Sequence, residues 1–221
     1  TLVGGVMFLL WLGEQITERG LGNGVSLIIF SGIVAELPRA LAQILEQGRT
    51  GAISPILIII IFLLAIAVIA FIVFIERSQR KIIVQYPKRQ VGNKIFSGDS
   101  SHLPLKINVP GVIPPIFASA LLLLPTSVSS FAGIGSDSPE WLITINSLLG
   151  RGQPIYLAIY IGLIVFFAFF YTAIVFNPDE TADTLKRNGG FVPGIRPGPP
   201  TADYLDFVLT RLTAIGALYL S

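Results

Sequence analysis

The sequence predicts an all-α integral membrane protein that is built as a multi-span helical bundle. Of the 221 residues, 52% are hydrophobic and only 13% are charged, which is about half the charged fraction of a typical soluble domain. The charged residues are confined to five stretches, namely 14–19, 36–49, 76–106, 137–151 and 179–211. This distribution excludes an ordinary soluble domain and a disordered chain, and it argues against nucleic-acid binding as the main role.

The segment 55–75 is the clearest predicted span. It covers about 31 Å at the helical rise of about 1.5 Å per residue, which matches a hydrocarbon core of about 30 Å. Its many β-branched residues would favour a strand in water. In lipid, an isolated strand leaves its backbone groups unpaired, so a helix is predicted.

Five more apolar segments complete the predicted bundle. The segment 25–45 becomes amphipathic in its second half, so we expect it to leave the membrane core near Pro38. The segment 108–125 opens with several prolines, and we expect a regular helix only from Ile116 onward, because proline disrupts a helix interior. The first and last spans are expected to be truncated. The predicted spans are 1–12, 25–45, 55–75, 108–125, 155–176 and 207–221.

The alternation of spans places the loops on two sides of the membrane. Loops 13–24, 76–107 and 177–206 lie on one side, and loops 46–54 and 126–154 lie on the other. When Arg211 is counted with the first side, that side carries twelve of the fifteen Lys and Arg residues. The positive-inside rule therefore predicts that this side is cytoplasmic.

The long loop 76–107 predicts a short β-ribbon. Its stretch KIIVQYP (81–87) alternates apolar and polar residues, and the basic stretch KRQVGNK follows it. We expect a ribbon with a basic tip that stands out from the membrane. Two interpretations of this charge stay open. The charge either sets the topology and attracts lipid headgroups, or it docks an acidic partner such as ribosomal RNA or a cytosolic motor.

The loop before the last span carries a lone Arg196 between prolines, in a stretch rich in glycine and proline around 189–200. A rigid loop that presents one guanidinium suits partner recognition. Stiffening that only limits chain entropy explains the same composition. We also expect a short helix over Thr181–Arg187 and a final helix that is capped by Thr201.

Several absences limit the chemistry of this sequence. Its fully apolar spans carry no Asp, Glu, Lys, Arg or His, which argues against an ion-coupled transporter. A secondary transporter or permease half stays open as an alternative. There is no cysteine, and His102 is the only histidine, so no thiolate or histidine-ligated zinc site is expected. Neither an HExxH nor a GxSxG motif is present. The sequence therefore argues against membrane-embedded hydrolysis, and we expect no catalytic residue in it.

Several long motifs together carry a resemblance to a known family. They are GEQITERGLGNGVSLIIF (13–30), ERSQRK (76–81), YPKRQ (86–90), HLPLKIN (102–108), GVIPPIFAS (111–119) and FFYTAIVFNPDETADTLKRNGGFVPGIRPG (169–198). With these motifs the sequence resembles the SecY family, the central subunits of the bacterial protein-conducting channel, across essentially all of its length. The resemblance implies a fragment that runs from the end of the fourth span to the start of the ninth in a ten-span, inverted-repeat SecY-type channel.

The resemblance also implies site residues. It places Ile29 of the fifth span and Ile116 of the seventh in an apolar pore ring, which dewets and blocks small ions. Spans 108–125 and 155–176 would form half of a lateral gate through which signal sequences enter lipid. The implied gate residues are Asn108, Ile116 and Ala120. The implied docking residues for the ribosome or the SecA motor are Arg80, Lys81, Lys88, Arg89 and Arg196.

The implied function is a non-enzymatic, passive channel in the bacterial inner membrane. It would translocate unfolded secretory polypeptides and release membrane segments laterally into lipid. Translation or ATP hydrolysis by SecA would drive transport, so the chain itself would need no cofactor. The implied partners are the SecE and SecG subunits, the SecA motor ATPase or the ribosome with its RNA, signal sequences, nascent polypeptides and the lipid bilayer.

Overall fold

A computed structural model describes residues 1–91, 94–96, 100–131, 139–150 and 152–221 of the chain. Helices dominate these residues, and short antiparallel strands occur only between α3 and α4, so the predicted helical class with a ribbon in one loop is confirmed. The elements are α1 (Leu2–Glu18), α2 (Gly24–Arg49), α3 (Pro55–Arg77), β1 (Gln79–Gln85), β2 (Arg89–Val91), β3 (Lys94–Phe96), β4 (Ser100–Lys106), α4 (Ile113–Phe131), α5 (Glu140–Leu148), α6 (Pro154–Val175), α7 (Pro178–Arg187) and α8 (Pro199–Leu220).

The chain divides into two compact units, Thr1–Ala70 and Phe71–Ser221, and each is described by itself. In the first unit, α1 and α2 form a helical hairpin that Thr17 ties together. The Thr17 hydroxyl donates to the carbonyl oxygen of Gly13 over 2.9 Å and accepts from the N–H of Gly24 over 2.9 Å. A Cβ on Gly24 would overlap the Gly13 carbonyl, so only glycine permits this approach.

Helix α2 is longer than predicted. It continues through Pro38 and ends at Arg49, whereas the predicted span ends at residue 45. A proline removes one intrahelical hydrogen bond, and the helix on both sides of Pro38 is retained here. The side chain of Ile58, in α3, packs against Gly48 near the end of α2.

In the second unit, α6 packs against both α4 and α8. The rings of Phe117 in α4 and Phe167 in α6 stack with their centroids 5.6 Å apart. Buried residues recur every four positions, which places them on one face of each helix. They are Ile164, Ala168 and Thr172 in α6, and Pro114, Ala118 and Leu122 in α4.

The start of α4 differs from the prediction. The helix begins at Ile113, so regular helix precedes the expected start at Ile116. Pro114 and Pro115 occupy its first turn, where the backbone N–H has no intrahelical partner and proline is tolerated. The expectation of irregular structure before Ile116 is therefore wrong for residues 113–115.

The hydrophobic core of the second unit lies between β1, β4 and α8. Strands β1 and β4 pair antiparallel, with Gln79 opposite Lys106 and Gln85 opposite Ser100; we call this pair the ribbon. Ile82 and Val84 are buried and their neighbours in β1 are exposed, which confirms the predicted alternation. The buried core consists of Ile82, Leu105, Val192, Leu205, Val208 and Leu212.

The start of α8 corrects another prediction. Thr201 is not the cap, because α8 begins at Pro199 and its N-cap residue is Gly198, with a φ of 109°. The two prolines at 199 and 200 favour the first helical turn and so move the start upstream. Thr201 is buried instead, and its hydroxyl donates to the carbonyl oxygen of Arg196 over 2.8 Å.

Two more helices differ from expectation. The short helix expected over Thr181–Arg187 is α7, which begins earlier, at Pro178. Asn177 caps it by accepting hydrogen bonds from the backbone N–H groups of Asp179 and Glu180, over 3.1 and 3.4 Å. Helix α5 lies in the loop predicted over 126–154.

Three helical segments of the described chain are long and apolar enough to cross a membrane. They are Gly24–Arg49, Pro55–Arg77 and Pro154–Arg187, the last of which joins α6 and α7. A shorter apolar helix, Ile113–Val128, lies within α4. The exact boundaries of the predicted spans stay predictions.

Candidate functional site

The ribbon has two different faces. Residues opposite each other in an antiparallel pair share a face, and successive residues alternate between faces. Its inner face carries Ile82 and Val84 into the core, while its outer face is exposed, including Ile83 at 49%. The outer face consists of Gln79, Lys81, Ile83, Gln85, Ser100, His102, Pro104 and Lys106.

The two predicted docking residues in β1 lie on opposite faces. Lys81 is exposed on the outer face, opposite Pro104. Arg80 stands opposite Leu105 on the inner face, and its side chain is exposed all the same. Cationic charge is therefore available on both sides of the ribbon.

The two remaining docking residues of the first loop follow β1. Lys88 is exposed between β1 and β2. Arg89 begins β2, and its backbone pairs with Phe96 of β3. Its side chain lies outside the described part of the structure, as do residues 92–93 of the predicted basic tip.

The second long loop is attached to the edge of the ribbon. The N–H of Gln85 donates to the carbonyl oxygen of Phe191 over 2.9 Å, and the N–H of Phe191 donates back over 3.0 Å. A Cβ on Gly190 would lie 2.9 Å from the Tyr86 ring and 3.1 Å from the Val84 side chain. The loop therefore lies flush against β1. We call the ribbon and residues 188–198 the ribbon–loop body.

Arg196 is exposed on a constrained part of this body. Its carbonyl oxygen accepts the Thr201 hydroxyl, and Gly194 and Gly198 turn the chain on either side with φ of 86° and 109°. Lys186, in the last turn of α7, brings a second cation close, because its Nζ lies 4.0 Å from where a Cβ of Gly198 would stand. The sequence did not single out Lys186, although cations are common in a last helical turn.

The predicted pore residues lie on long apolar helices. Ile29, in α2, is 42% exposed, and Ile116, in α4, is 40% exposed. Ala120 is exposed one turn after Ile116, whereas Ala118 and Leu122 are buried. Ile29 and Ile116 belong to different units, so the pore ring stays a prediction.

Asn108, the third predicted gate residue, is buried between the ribbon and α4, with only 4% of its surface exposed. Its Nδ2 donates to Oε1 of Glu76 over 2.6 Å and to the carbonyl oxygen of Gly111 over 3.4 Å. Asn108 is thus buried, whereas Ile116 and Ala120 lie on an exposed face of α4, and the gate assignment stays a prediction. The sequence missed the partner Glu76, which lies 32 positions away.

The described residues include no group of three or more His, Cys, Asp or Glu side chains that could hold a metal ion. Two buried polar atoms of that part of the chain, Oδ1 of Asn108 and Oγ1 of Thr172, have no hydrogen-bond partner.

The comparisons with known proteins agree with the resemblance. The SecY family model matches residues 1–221. Similar curated proteins are the Protein translocase subunit SecY of Rickettsia typhi, of Escherichia coli strain K12 and of Vibrio cholerae, which are 54%, 55% and 56% identical. Each alignment covers 100% of this chain and 50% of the relative, so the chain spans about half the length of the curated relatives it matches. Because the family model covers every residue, the chain belongs to the SecY family.

Proposed function

We propose that this chain is about half of the central subunit of a protein-conducting channel. The channel translocates unfolded secretory polypeptides and releases membrane segments laterally into lipid. The observation that carries the proposal is the SecY match over the whole chain, to relatives named as protein translocase subunits. The apolar helical segments support a multi-pass membrane protein, and the bacterial relatives favour the bacterial inner membrane.

Ile29 and Ile116 are the proposed pore ring. Each side chain keeps about two fifths of its surface exposed, so neither is fully used in packing within its own unit. A narrow apolar ring dewets and blocks small ions, yet it yields to a passing chain. The lack of charge in the fully apolar spans suits a pore that must not hold any cargo tightly.

Helices α4 and α6 are the proposed half of the lateral gate. Helix α4 buries Ala118 and Leu122, and it leaves Ile116 and Ala120 exposed. The exposed residues are apolar, so they suit contact with the apolar core of a signal sequence. Asn108, which lies just ahead of α4, is the proposed polar residue of this gate.

The ribbon–loop body, together with Lys88 and Arg89 beyond the end of β1, is the proposed docking surface for the SecA motor or for the ribosome and its RNA. Its backbone is held by the Gln85–Phe191 hydrogen bonds and by Thr201, so little conformational entropy is lost on docking. Guanidinium groups bind carboxylates and phosphates in a fork geometry. The proposed docking residues are Arg80, Lys81, Lys88, Arg89 and Arg196.

In this proposal the chain itself is not an enzyme and needs no cofactor. Translation or ATP hydrolysis by SecA supplies the driving force, and SecE and SecG complete the complex in the bilayer. The chain itself has only to position its partners and to provide an apolar passage. No observation favours the alternative of a secondary transporter or permease half.

Site-specific crosslinking of a stalled secretory chain tests the proposal. A photoreactive residue at Ile29 or Ile116 in the full-length complex should crosslink to the stalled chain. The matched control is Ile66 of α3, which is also exposed and apolar but has no place in the ring. Crosslinks to lipid alone at both ring positions, or equal yields at Ile66, would contradict the proposal.

A further inference from the structure

The two ends of the ribbon are tied together where they join α3 and α4. Glu76 lies in the last turn of α3, and Asn108 follows β4. The Asn108 amide donates to Glu76 over 2.6 Å, and the N–H of Ile107 donates to the carbonyl oxygen of Ser78 over 3.3 Å. Both legs of the ribbon are therefore closed by hydrogen bonds beyond the last strand pair.

Asn108 also organises the turn that leads into α4. The same Nδ2 reaches the carbonyl oxygen of Gly111 over 3.4 Å, and Gly111 has a φ of 66°. Pro110, within this turn, is fully buried. The segment between the ribbon and the first residue of α4 is therefore held by one side chain rather than by regular structure.

The bond between Glu76 and Asn108 is a strong directional constraint. Asn108 is buried and Glu76 is partly buried, and a hydrogen bond to a carboxylate in such surroundings is stronger than one between neutral groups. Loss of the donor would leave a partly buried carboxylate unpaired, which costs more than the bond contributes in water. Both side chains therefore resist separation.

Helix α8 closes this junction from the other side. A Cβ on Gly216 would lie 2.9 Å from the carbonyl oxygen of Ile107 and 3.5 Å from Cα of Asn108. On the exposed face of α8, Arg211 precedes Gly216 in the sequence, and the apolar Ile215 and Leu218 lie close to Gly216. The end of α3, the turn ahead of α4 and helix α8 therefore all contact Asn108 or its neighbour Ile107.

We propose that Glu76 and Asn108 are positioning residues that make the ribbon and the start of α4 move together. A force that moves the ribbon then also moves α4, because residues 107–112 do not deform between them. The biological role of this coupling rests on the proposed function, because it links the docking surface to the gate helix. The coupling itself is a property of this chain.

The experiment compares variants that break and retain the bond in the full-length complex. Asn108→Leu removes the amide with little change in size. Glu76→Gln retains the bond, because its amide oxygen still accepts from Asn108 while the charge is removed. Thr172→Val is the matched control, since it removes a buried polar atom that has no partner. Spin labels on cysteines at Gln85 and Leu124, both exposed, report the distance from the ribbon to α4.

We expect a narrow distance distribution in the wild type and in the Thr172→Val control. Asn108→Leu should broaden it, and Glu76→Gln should leave it narrow. Binding of the docking partner should keep its Kd in all variants, whereas the export rate should fall about tenfold in Asn108→Leu and be retained in Glu76→Gln.

Two results would overturn the inference. One is a distribution in Asn108→Leu as narrow as in the wild type; the other is a broadened distribution with undiminished export and unchanged Kd. If the pair had a purely structural role, Asn108→Leu would lower the melting temperature. Export would then not fall while the Kd stays constant. Neither result bears on the crosslinks at Ile29 and Ile116, so failure of the coupling and failure of the channel proposal are distinguishable.

Discussion

Helices α3 and α8 have nearly the same length, 23 and 22 residues, but opposite relations to the rest of the chain. No residue of α3 is buried, whereas nine residues of α8 are. Helix α3 is apolar on all sides, which is typical of a membrane span. Helix α8 combines a buried apolar face with exposed charges such as Asp206 and Arg211. Helix α3 is thus suited to contact lipid on all sides, whereas α8 uses its apolar face to build the core of the second unit.

The largest expected effect is a charge at the centre of α3. Ile66→Arg should disfavour membrane insertion of the α3 segment by about 3–4 kcal/mol, because it replaces a favourable transfer with a costly one. The measurement is the inserted fraction of a glycosylation reporter. Phe74→Arg is the control, since a side chain near the helix end reaches the interface. Equal costs at both positions would contradict the assignment of α3 as a span centred on residue 66.

Shortening a side chain should have a large effect on stability in α8 and a small one in α3. Leu205→Ala should destabilise the second unit by about 3 kcal/mol, because Leu205 is fully buried and a cavity would remain. The matched change Ile66→Ala, at an exposed position of α3, should have little effect on unfolding within the protein. Denaturant unfolding of the full-length protein in nanodiscs measures both. Similar losses for the two variants would remove the distinction between the helices.

A methyl group at the close approach of α8 tests its packing more finely. Gly216→Ala should cost about 2 kcal/mol, since the added carbon would meet the backbone carbonyl of Ile107 at 2.9 Å. Gly32→Ala in α2 is the control, because its Cβ would meet nothing within 4 Å and alanine favours helices. Melting temperatures give the order. A neutral Gly216→Ala would mean that α8 does not press against the ribbon junction.

The smallest expected effect concerns the exposed charge that α8 holds in place through Thr201. Arg196→Glu should weaken binding of SecA or the ribosome about tenfold and leave membrane insertion intact, because only the docking charge is reversed. Arg19→Glu, in a loop predicted to lie on the same side, is the control. Binding assays with the full-length complex measure the Kd. An unchanged Kd for Arg196→Glu would contradict the docking role of Arg196.

Much of the fold could be predicted from local pattern. The uniformly apolar segment predicts α3, because lipid is its one favourable environment. The alternation of apolar and polar residues in β1 predicts that Ile82 and Val84 are buried on one face. The cap of α8 could not be predicted correctly, because Thr201 and the preceding prolines compete for the same turn. Proline at the first helical position prevailed, and Thr201 became a buried donor to Arg196.

Of the candidate site, the sequence resemblance named individual residues but not their arrangement. Arg80 and Lys81 are neighbours in the sequence, yet the ribbon places them on opposite faces. Asn108 was named for the gate, and the structure joins it to Glu76, a partner that the resemblance did not name. Lys186 lies beside the Arg196 loop, close to Gly198, where α7 packs against α8.

The membrane class, the ribbon and the concentration of basic residues in the loops on one predicted side follow from the amino-acid sequence alone. These features depend on how each segment partitions between water and lipid, which composition and periodicity describe. The union of the two long loops through Gln85 and Phe191, and the junction at Glu76, Asn108 and Gly216, appear only in the folded chain. Their partners are distant in sequence and chemically common, so packing of the whole unit, and not any local pattern, selects which groups meet.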